Sequence, residues 1–154
     1  MYQHDKRKNL VFMLYISDFY EKDEQDSQLR FFLFEQANLE KGILSDDPLQ
    51  EYVEDNDTLN ELMDKYYRIK EKLGVIDPMI ASVSEGWKLG RMCKVDLQIM
   101  RVAVYEIFYD DAIPSPIAIN EAVKLAKQYG GAEGSSSFIN GILGQLERNR
   151  VKNQ

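Results

Sequence analysis

Residues 87–143 read WKLGRMCKVDLQIMRVAVYEIFYDDAIPSPIAINEAVKLAKQYGGAEGSSSFINGIL. In the first half of this stretch, from Val95 to Tyr109, apolar side chains occupy nearly every side of a helical wheel. A helix that is apolar all round is typical of the centre of a helical bundle. The stretch therefore predicts a buried central helix against which other helices pack.

A proline-containing turn separates this helix from the next one. Pro114 disfavours helical geometry in the residue before it, Ser115 can act as an N-cap, and Pro116 suits the first helical position. We predict a helix that begins at Pro116 and ends at Tyr129, before two glycines.

The linker GAEGSSS connects that helix to a last helix, which we expect to begin near Phe138. No GK[ST] follows this linker and no predicted strand precedes it, so the pattern does not indicate a phosphate loop. Gly141 and Gly144 lie inside the last helix, where each glycine costs about 1 kcal/mol relative to alanine. We therefore expect close helix approach or a crowded contact at both glycines.

The rest of the chain also predicts helices, because apolar residues recur at intervals of three and four and alternating runs are nearly absent. The fold is predicted to be all-α with about seven helices, the first four spanning about residues 5–20, 28–43, 58–73 and 77–86. Gly74 is expected to end the third helix, and Asp77 with Pro78 is expected to start the fourth.

The first helix combines an apolar face with a basic start. The residues expected to face inward are Val11, Leu14, Tyr15 and Phe19. Its first turn, which we expect to be exposed, carries Lys6, Arg7 and Lys8. Cations at this end oppose the helix dipole. Two interpretations stay open: solvent screens these charges, or an anion from outside the protein compensates them.

Length and composition indicate one globular domain. The chain has 154 residues, of which 44% are hydrophobic, enough for a sizeable core. The single cysteine, Cys93, cannot form an internal disulfide, so we expect a protein of the reducing cytoplasm. No apolar run approaches the roughly 18 residues of a membrane span, and the N-terminus lacks the apolar segment of a signal peptide.

Charge is unevenly distributed along the chain. The net charge is −7, yet residues 18–57 alone hold thirteen acidic and three basic side chains, which amounts to −10. Residues 58–154 hold thirteen basic and twelve acidic side chains. A protein that is acidic overall can therefore still present a locally positive surface to RNA.

Patterns of catalytic and metal-binding residues are missing. His4 is the only histidine and lies near the N-terminus, which argues against His/Cys metal clusters and against Ser/His/Asp or Cys/His catalytic arrangements. An acidic run such as residues 18–57 is most often a solvated surface. We expect neither an enzyme nor a bound cofactor or metal.

Four motifs in residues 87–143 together resemble the NusB family of transcription antitermination factors. They are W-x-L-x-R-M, V-D-x-x-I-M-R-V-A-V-Y-E-I, I-P-x-x-I-A-I-N-E-A-V-K-L-A-K-x-Y-G and F-I-N-G-I-L. The resemblance implies one NusB-like domain over residues 1–154, a bundle of two packed helical subdomains at about residues 1–75 and 76–150. It also implies binding of boxA-type single-stranded RNA jointly with the small-subunit ribosomal protein called NusE in that setting. The complex then acts on elongating RNA polymerase with other Nus factors, including on ribosomal RNA operons.

The resemblance places the RNA contacts at the start of the chain. By this correspondence Lys6, Arg7 and Lys8 neutralise phosphates, and the ring of Tyr15 stacks on an unpaired base. A tyrosine that belongs to the core, with only its hydroxyl in water, is the alternative for Tyr15.

The contacts with the ribosomal protein are implied near Asp96 and Phe138. Asp96 would offer a carboxylate and Phe138 an aromatic anchor. Structural roles stay open for both, because Asp96 can act as a first-turn acid on the helix dipole and Phe138 can be plain core.

The N-terminus departs from the family pattern. Family members often carry three or four arginines before the first helix, whereas residues 3–7 here read QHDKR. We expect weak RNA binding by the protein alone and a strong dependence on its partner. The same departure leaves a second function open, a protein–protein adaptor with the NusB fold that has lost most RNA binding. NusB-like domains also occur fused to ribosomal RNA cytosine methyltransferases, and we expect no room for that catalytic domain in this chain.

Overall fold

The computed structural model describes residues 1–40, 56–84 and 89–154, and every regular element within these ranges is helical. The α-helices of these ranges are α1 (Gln3–Ser17), α2 (Gln25–Glu40), α3 (Asn56–Val83), α4 (Lys94–Tyr109), α5 (Ser115–Tyr129) and α6 (Ser135–Lys152). One turn of 3-10 helix (Leu89–Arg91) precedes α4. The all-α prediction is confirmed. Trp87, Gly86 and the predicted end of the second helix lie outside the described residues.

The helices belong to two compact units. Unit 1 comprises Met1–Arg68 and holds α1, α2 and the first half of α3, while unit 2 comprises Ile69–Gln154. The division into subdomains at about residues 1–75 and 76–150 stays a prediction.

Unit 1 is built on the contact between α1 and α2. Its core includes Leu10, Met13, Leu14, Leu29 and Leu33, each no more than 2% exposed. Van der Waals contact and the removal of this apolar surface from water stabilise the unit.

The first helix ends three residues before the predicted boundary, at Ser17 rather than Tyr20. Ser17 is buried, and its hydroxyl donates to the carbonyl of Leu14 at 3.0 Å. Phe19 therefore lies in a turn outside the helical repeat and is 66% exposed, so its predicted inward position is wrong. Val11 and Leu14 are buried as predicted, and Tyr15 is half-buried.

A polar cluster joins α2 to α3 within unit 1. The Tyr67 hydroxyl donates to Asp26 at 2.6 Å, and the guanidinium of Arg30 donates to the same carboxylate at 2.9 Å. These two donors hold the pKa of Asp26 below its ordinary value. Burial and the hydrogen bond to Asp26 raise the pKa of Tyr67 to about 12. Arg30 also donates to the side chain of Asn60.

Two predicted helices are one helix in the structure, because α3 runs without interruption through Gly74 and Pro78. Pro78 lacks the N–H that would bond to the carbonyl of Gly74, so one helical hydrogen bond is missing. Ile76 and Ile80, one on each side of Pro78, are fully buried, and burial outweighs the local cost. Asp77 does not cap a helix, since its carboxylate binds Arg101 at 2.9 and 2.7 Å.

Unit 2 is organised around α4, which contacts both α5 and α6. Every residue of α4 from Asp96 to Ile107 is buried except Arg101. Arg101 is the exception because its guanidinium reaches out of the packed helix to Asp77 on α3. The structure thus confirms that the helix predicted to be apolar all round is central to its unit.

Ser115 does not cap α5, contrary to the prediction. Pro114 occupies the N-cap position, no side chain caps this end, and Ser115 is the first helical residue. Its buried side chain instead lies beside Glu147 on α6. Arg150 first, and Ser115 with it, lower the pKa of Glu147 against the opposing effect of burial. A residue that was predicted to cap its own helix therefore contacts a different helix.

The expected crowding at Gly141 is absent, because no atom lies within 4 Å of the place where its Cβ would be built. Gly144 has a local neighbour: a Cβ there would lie 3.4 Å from the guanidinium of Arg148 on the same helix. Neither glycine is explained by close approach of another helix. Gly74 in α3 is as open as Gly141.

Replacing these open glycines is expected to stabilise the protein. Gly74→Ala and Gly141→Ala should each raise the free energy of unfolding by up to about 1 kcal/mol, because alanine favours helix and finds free space. Gly130→Ala is the matched control with the opposite expectation, since its Cβ would lie 2.7 Å from that of Ser135. Urea unfolding measures all three; a loss of stability in Gly141→Ala would contradict the open packing described above.

Candidate RNA and partner interfaces

The basic first turn of α1 is compensated from inside the protein. The Lys6 ammonium lies 3.2 and 3.3 Å from the two carboxylate oxygens of Glu61 on α3. The Lys8 ammonium lies 3.6 Å from Asp5, one turn earlier on α1. Lys6 and Lys8 are thus each paired with an acid of the same unit, so solvent alone does not compensate their charges.

Arg7 does not lie on an exposed turn. It is only 8% exposed, which corrects the expectation that the whole basic stretch is solvated. Its neighbours Lys6 and Lys8 retain 16% and 21% side-chain exposure, so their ammonium groups are the more accessible charges of the three. A buried arginine contributes to packing as well as to charge.

An aromatic pair follows the cations along the chain. The rings of Tyr15 and Phe19 lie 5.7 Å apart between centroids and are tilted by 55°. Lys8 and Tyr15 are seven residues apart, which places them on the same side of α1. Phe19 was assigned to the core from its spacing, yet its ring is a second exposed surface for stacking.

The carboxylate of Asp96 is engaged inside unit 2. Asp96 is 6% exposed and lies in the first turn of α4, whose N-cap residue makes no side-chain hydrogen bond. It accepts a hydrogen bond from the Ser135 hydroxyl at 2.7 Å and another from the backbone N–H of Gly131 at 3.2 Å. Ser135 in turn accepts from the N–H of Ala132 at 3.0 Å. The hydrogen bonds of Asp96 therefore hold the linker between α5 and α6 against the start of α4.

Asp96 and Phe138, which sequence reasoning assigned to one interface, line the same cavity. This cavity has a volume of about 330 Å³, and its walls are mostly apolar. Phe138, one of the lining residues, is half-buried. The other lining residues are Arg91, Met92, Cys93, Ala132, Gly134 and Ser135.

Gly131 holds a position that sequence reasoning missed. A Cβ on this residue would overlap the sulfur of Cys93 and lie 2.8 Å from its Cβ. The backbone of the linker thus lies directly against the residue that precedes α4, and its N–H points to Asp96. The two consecutive glycines after α5 were the available signal, but they were read only as a helix end.

The described residues offer neither a metal site nor a membrane-spanning helix. Across residues 1–40, 56–84 and 89–154, no group of three or more His, Cys, Asp or Glu side chains is placed to hold a metal ion. None of the helices in these ranges is both long enough and apolar enough to cross a lipid bilayer.

Removing the Asp96 hydrogen bonds is expected to destabilise the linker. Asp96→Asn and Ser135→Ala should each lower the free energy of unfolding by about 1–3 kcal/mol, because a buried donor or acceptor loses its partner. The two losses should be non-additive, since both variants break one shared hydrogen bond. Ser136→Ala, a neighbouring helical serine, is the control expected to be near neutral. Additive losses in urea unfolding would contradict the coupling.

Known proteins of one family are similar to this chain in sequence and in fold. The profile of the NusB family matches residues 4–148. A transcription antitermination protein NusB of Lachnoclostridium phytofermentans is 43% identical over 147 residues, covering 95% of this chain and 98% of that protein. Another of the same name, from Agathobacter rectalis, is 38% identical over 140 residues and covers 91% and 95%. A solved structure of T. maritima NusB is 28% identical, with a TM-score of 0.71 and coverage of 96% and 92%.

Proposed function

The chain belongs to the NusB family of transcription antitermination proteins, and we propose that it binds boxA-type single-stranded RNA together with a small-subunit ribosomal protein acting as NusE. The observation that carries the proposal is the family match over almost the whole chain. The family is non-enzymatic. In this proposal the protein acts in the cytoplasm on elongating RNA polymerase with other Nus factors, including on ribosomal RNA operons.

The proposed RNA contacts lie at the start of unit 1. In this proposal Lys6 and Lys8 neutralise phosphates. The buried Arg7 adds a positive charge beside them. Tyr15 and the exposed Phe19 offer rings on which unpaired bases can stack, a sequence-tolerant contact common in single-stranded RNA recognition. Phosphate contacts would fix the path of the strand, and the rings would hold its bases.

RNA affinity of the protein alone is proposed to be weak. Lys6 and Lys8 each face a carboxylate of the same unit, so an incoming phosphate competes with an acid that is already in place. Unit 1 as a whole is acidic, with eight basic and sixteen acidic residues in positions 1–68, and repels a polyanion at long range. The ribosomal partner is therefore required to supply the missing affinity.

The proposed partner contact is the cavity beside Phe138. An apolar side chain of the partner would enter this space of about 330 Å³ and pack against the half-buried ring. Asp96 is buried and already accepts two hydrogen bonds, so we assign it a positioning role through Ser135 and Gly131. It shapes the wall of the cavity rather than reaching the partner itself.

The adaptor without RNA binding is the second candidate function. The net charge of −7 and the two internal ion pairs at the start of α1 favour it. The two functions differ in one measurable property, the affinity for RNA at low salt in the presence of the ribosomal protein.

Titration of labelled boxA-type RNA tests the RNA contacts. We expect weak binding by the protein alone and much tighter binding with the ribosomal protein present. Lys8→Gln should weaken the complex and reduce the slope of log affinity against log salt by about one, because one phosphate contact is lost. Lys22→Gln, an exposed lysine of the same unit, is the control with little expected effect. Absence of RNA binding at low salt, with and without the partner, would favour the adaptor.

Truncation of the aromatic anchor tests the partner contact. Phe138→Ala should weaken binding of the ribosomal protein by about 2 kcal/mol or more, as for an aromatic hot spot, while the chain remains folded. Tyr109→Ala removes another partly exposed aromatic residue of unit 2 and should leave partner affinity unchanged. Isothermal titration calorimetry with parallel thermal unfolding separates the effects. Unchanged affinity together with a large loss of stability would place Phe138 in the core instead.

A further inference from the structure

We propose that Glu61 is an internal competitor for the RNA backbone. In the free protein its carboxylate forms an ion pair with the ammonium group of Lys6. A phosphate must displace this carboxylate before Lys6 can contact RNA. The proposal rests on the RNA-binding role proposed above for Lys6 and names the residue that limits its affinity. Glu61 thus accounts for part of the weak RNA binding that is predicted from the N-terminal sequence.

The geometry of the ion pair supports this assignment. Both carboxylate oxygens of Glu61 lie within hydrogen-bond distance of the ammonium of Lys6, at 3.2 and 3.3 Å. The contact joins residues 55 positions apart, so tertiary structure rather than helix periodicity creates it. A phosphate has the same two features, negative charge and paired oxygen acceptors, and it needs the same donors.

The two side chains differ in their exposure to solvent. Lys6 retains 16% side-chain exposure, whereas Glu61 retains 54%. The stem of Lys6 is therefore held by its surroundings while the carboxylate of Glu61 borders solvent. An approaching phosphate meets a fixed ammonium, and Glu61 is the group that leaves.

The energetic scale makes the displacement feasible. A pair with one partner this exposed contributes little, and its loss changes an equilibrium by about two- to fivefold. Glu61 also compensates a cation that opposes the dipole of α1, so a phosphate that replaces it takes over the same compensation. The competitor lowers RNA affinity without abolishing it.

Glu61 is better suited to this role than Asp5. The Lys8–Asp5 pair is longer, at 3.6 Å, and both residues belong to α1. Asp5 is a first-turn acid, which favours the dipole of α1, so its removal would weaken the helix as well as free Lys8. Glu61 belongs to α3, so its replacement changes no residue of α1.

Asp64 offers a matched control for long-range charge. It lies one turn beyond Glu61 on the same helix, is exposed, and pairs with no cation among the residues that the structure describes. Glu61→Gln and Asp64→Asn change the net charge equally, so both relieve general repulsion of RNA. Only Glu61→Gln also frees Lys6.

The experiment compares these variants by anisotropy titration of a fluorescein-labelled boxA-type RNA at low salt, with the ribosomal protein present. We expect Glu61→Gln to bind about two- to fivefold more tightly than Asp64→Asn. In a Lys6→Gln background, Glu61→Gln should give no more gain than Asp64→Asn, since the ammonium that it frees is gone. Thermal unfolding checks that each variant is folded.

Three outcomes decide the proposal. A gain specific to Glu61→Gln and dependent on Lys6 supports it. Equal affinities of Glu61→Gln and Asp64→Asn, in a protein that binds RNA and loses affinity in Lys8→Gln, overturn the role of Glu61 while leaving the proposed function intact. Absence of RNA binding in the native chain and in every variant overturns the RNA-binding function and the competitor together.

Discussion

The carboxylate of Asp96 is the contact on which the organisation of unit 2 depends. It lies at the start of the most buried helix and binds both the serine that begins α6 and the backbone that follows α5. One buried charge thus connects the central helix with the linker between the two helices packed on it. Such an anion is tolerable in the interior only because hydrogen-bond donors surround it. The cavity beside Phe138 takes its shape from the same linker.

Unit 1 shows the opposite use of charge, at the surface. Its first helix starts with cations that oppose the helix dipole, and acids of the same unit compensate them. Such partly exposed ion pairs contribute little to stability, so another anion can replace the acid. Under the proposed function, this exchange would connect the electrostatics of α1 with the affinity for RNA.

Several elements were predictable because their causes are local. The apolar composition of α4 indicated a central helix, and Pro114 and Gly130 indicated the bounds of α5 to within one residue. The predictions failed where distant residues outweighed local signals. Gly74 and Pro78 read as a helix boundary, but burial of Ile76 and Ile80 keeps α3 continuous. Phe19 read as core from its spacing, but the helix had already ended.

The sequence by itself determined the helical class, the central position of α4 in its unit and membership of the NusB family, because periodicity, helix punctuation and motif spacing are properties of contiguous residues. It also drew attention to Asp96 and Phe138. Only the tertiary structure decided that these two line one cavity, that Ser115 reaches Glu147, and that Lys6 is held by Glu61. Those contacts join residues far apart in the chain. Which residues pair depends on packing and on the compensation of buried or unfavourably placed charges. No local sequence pattern specifies these pairs.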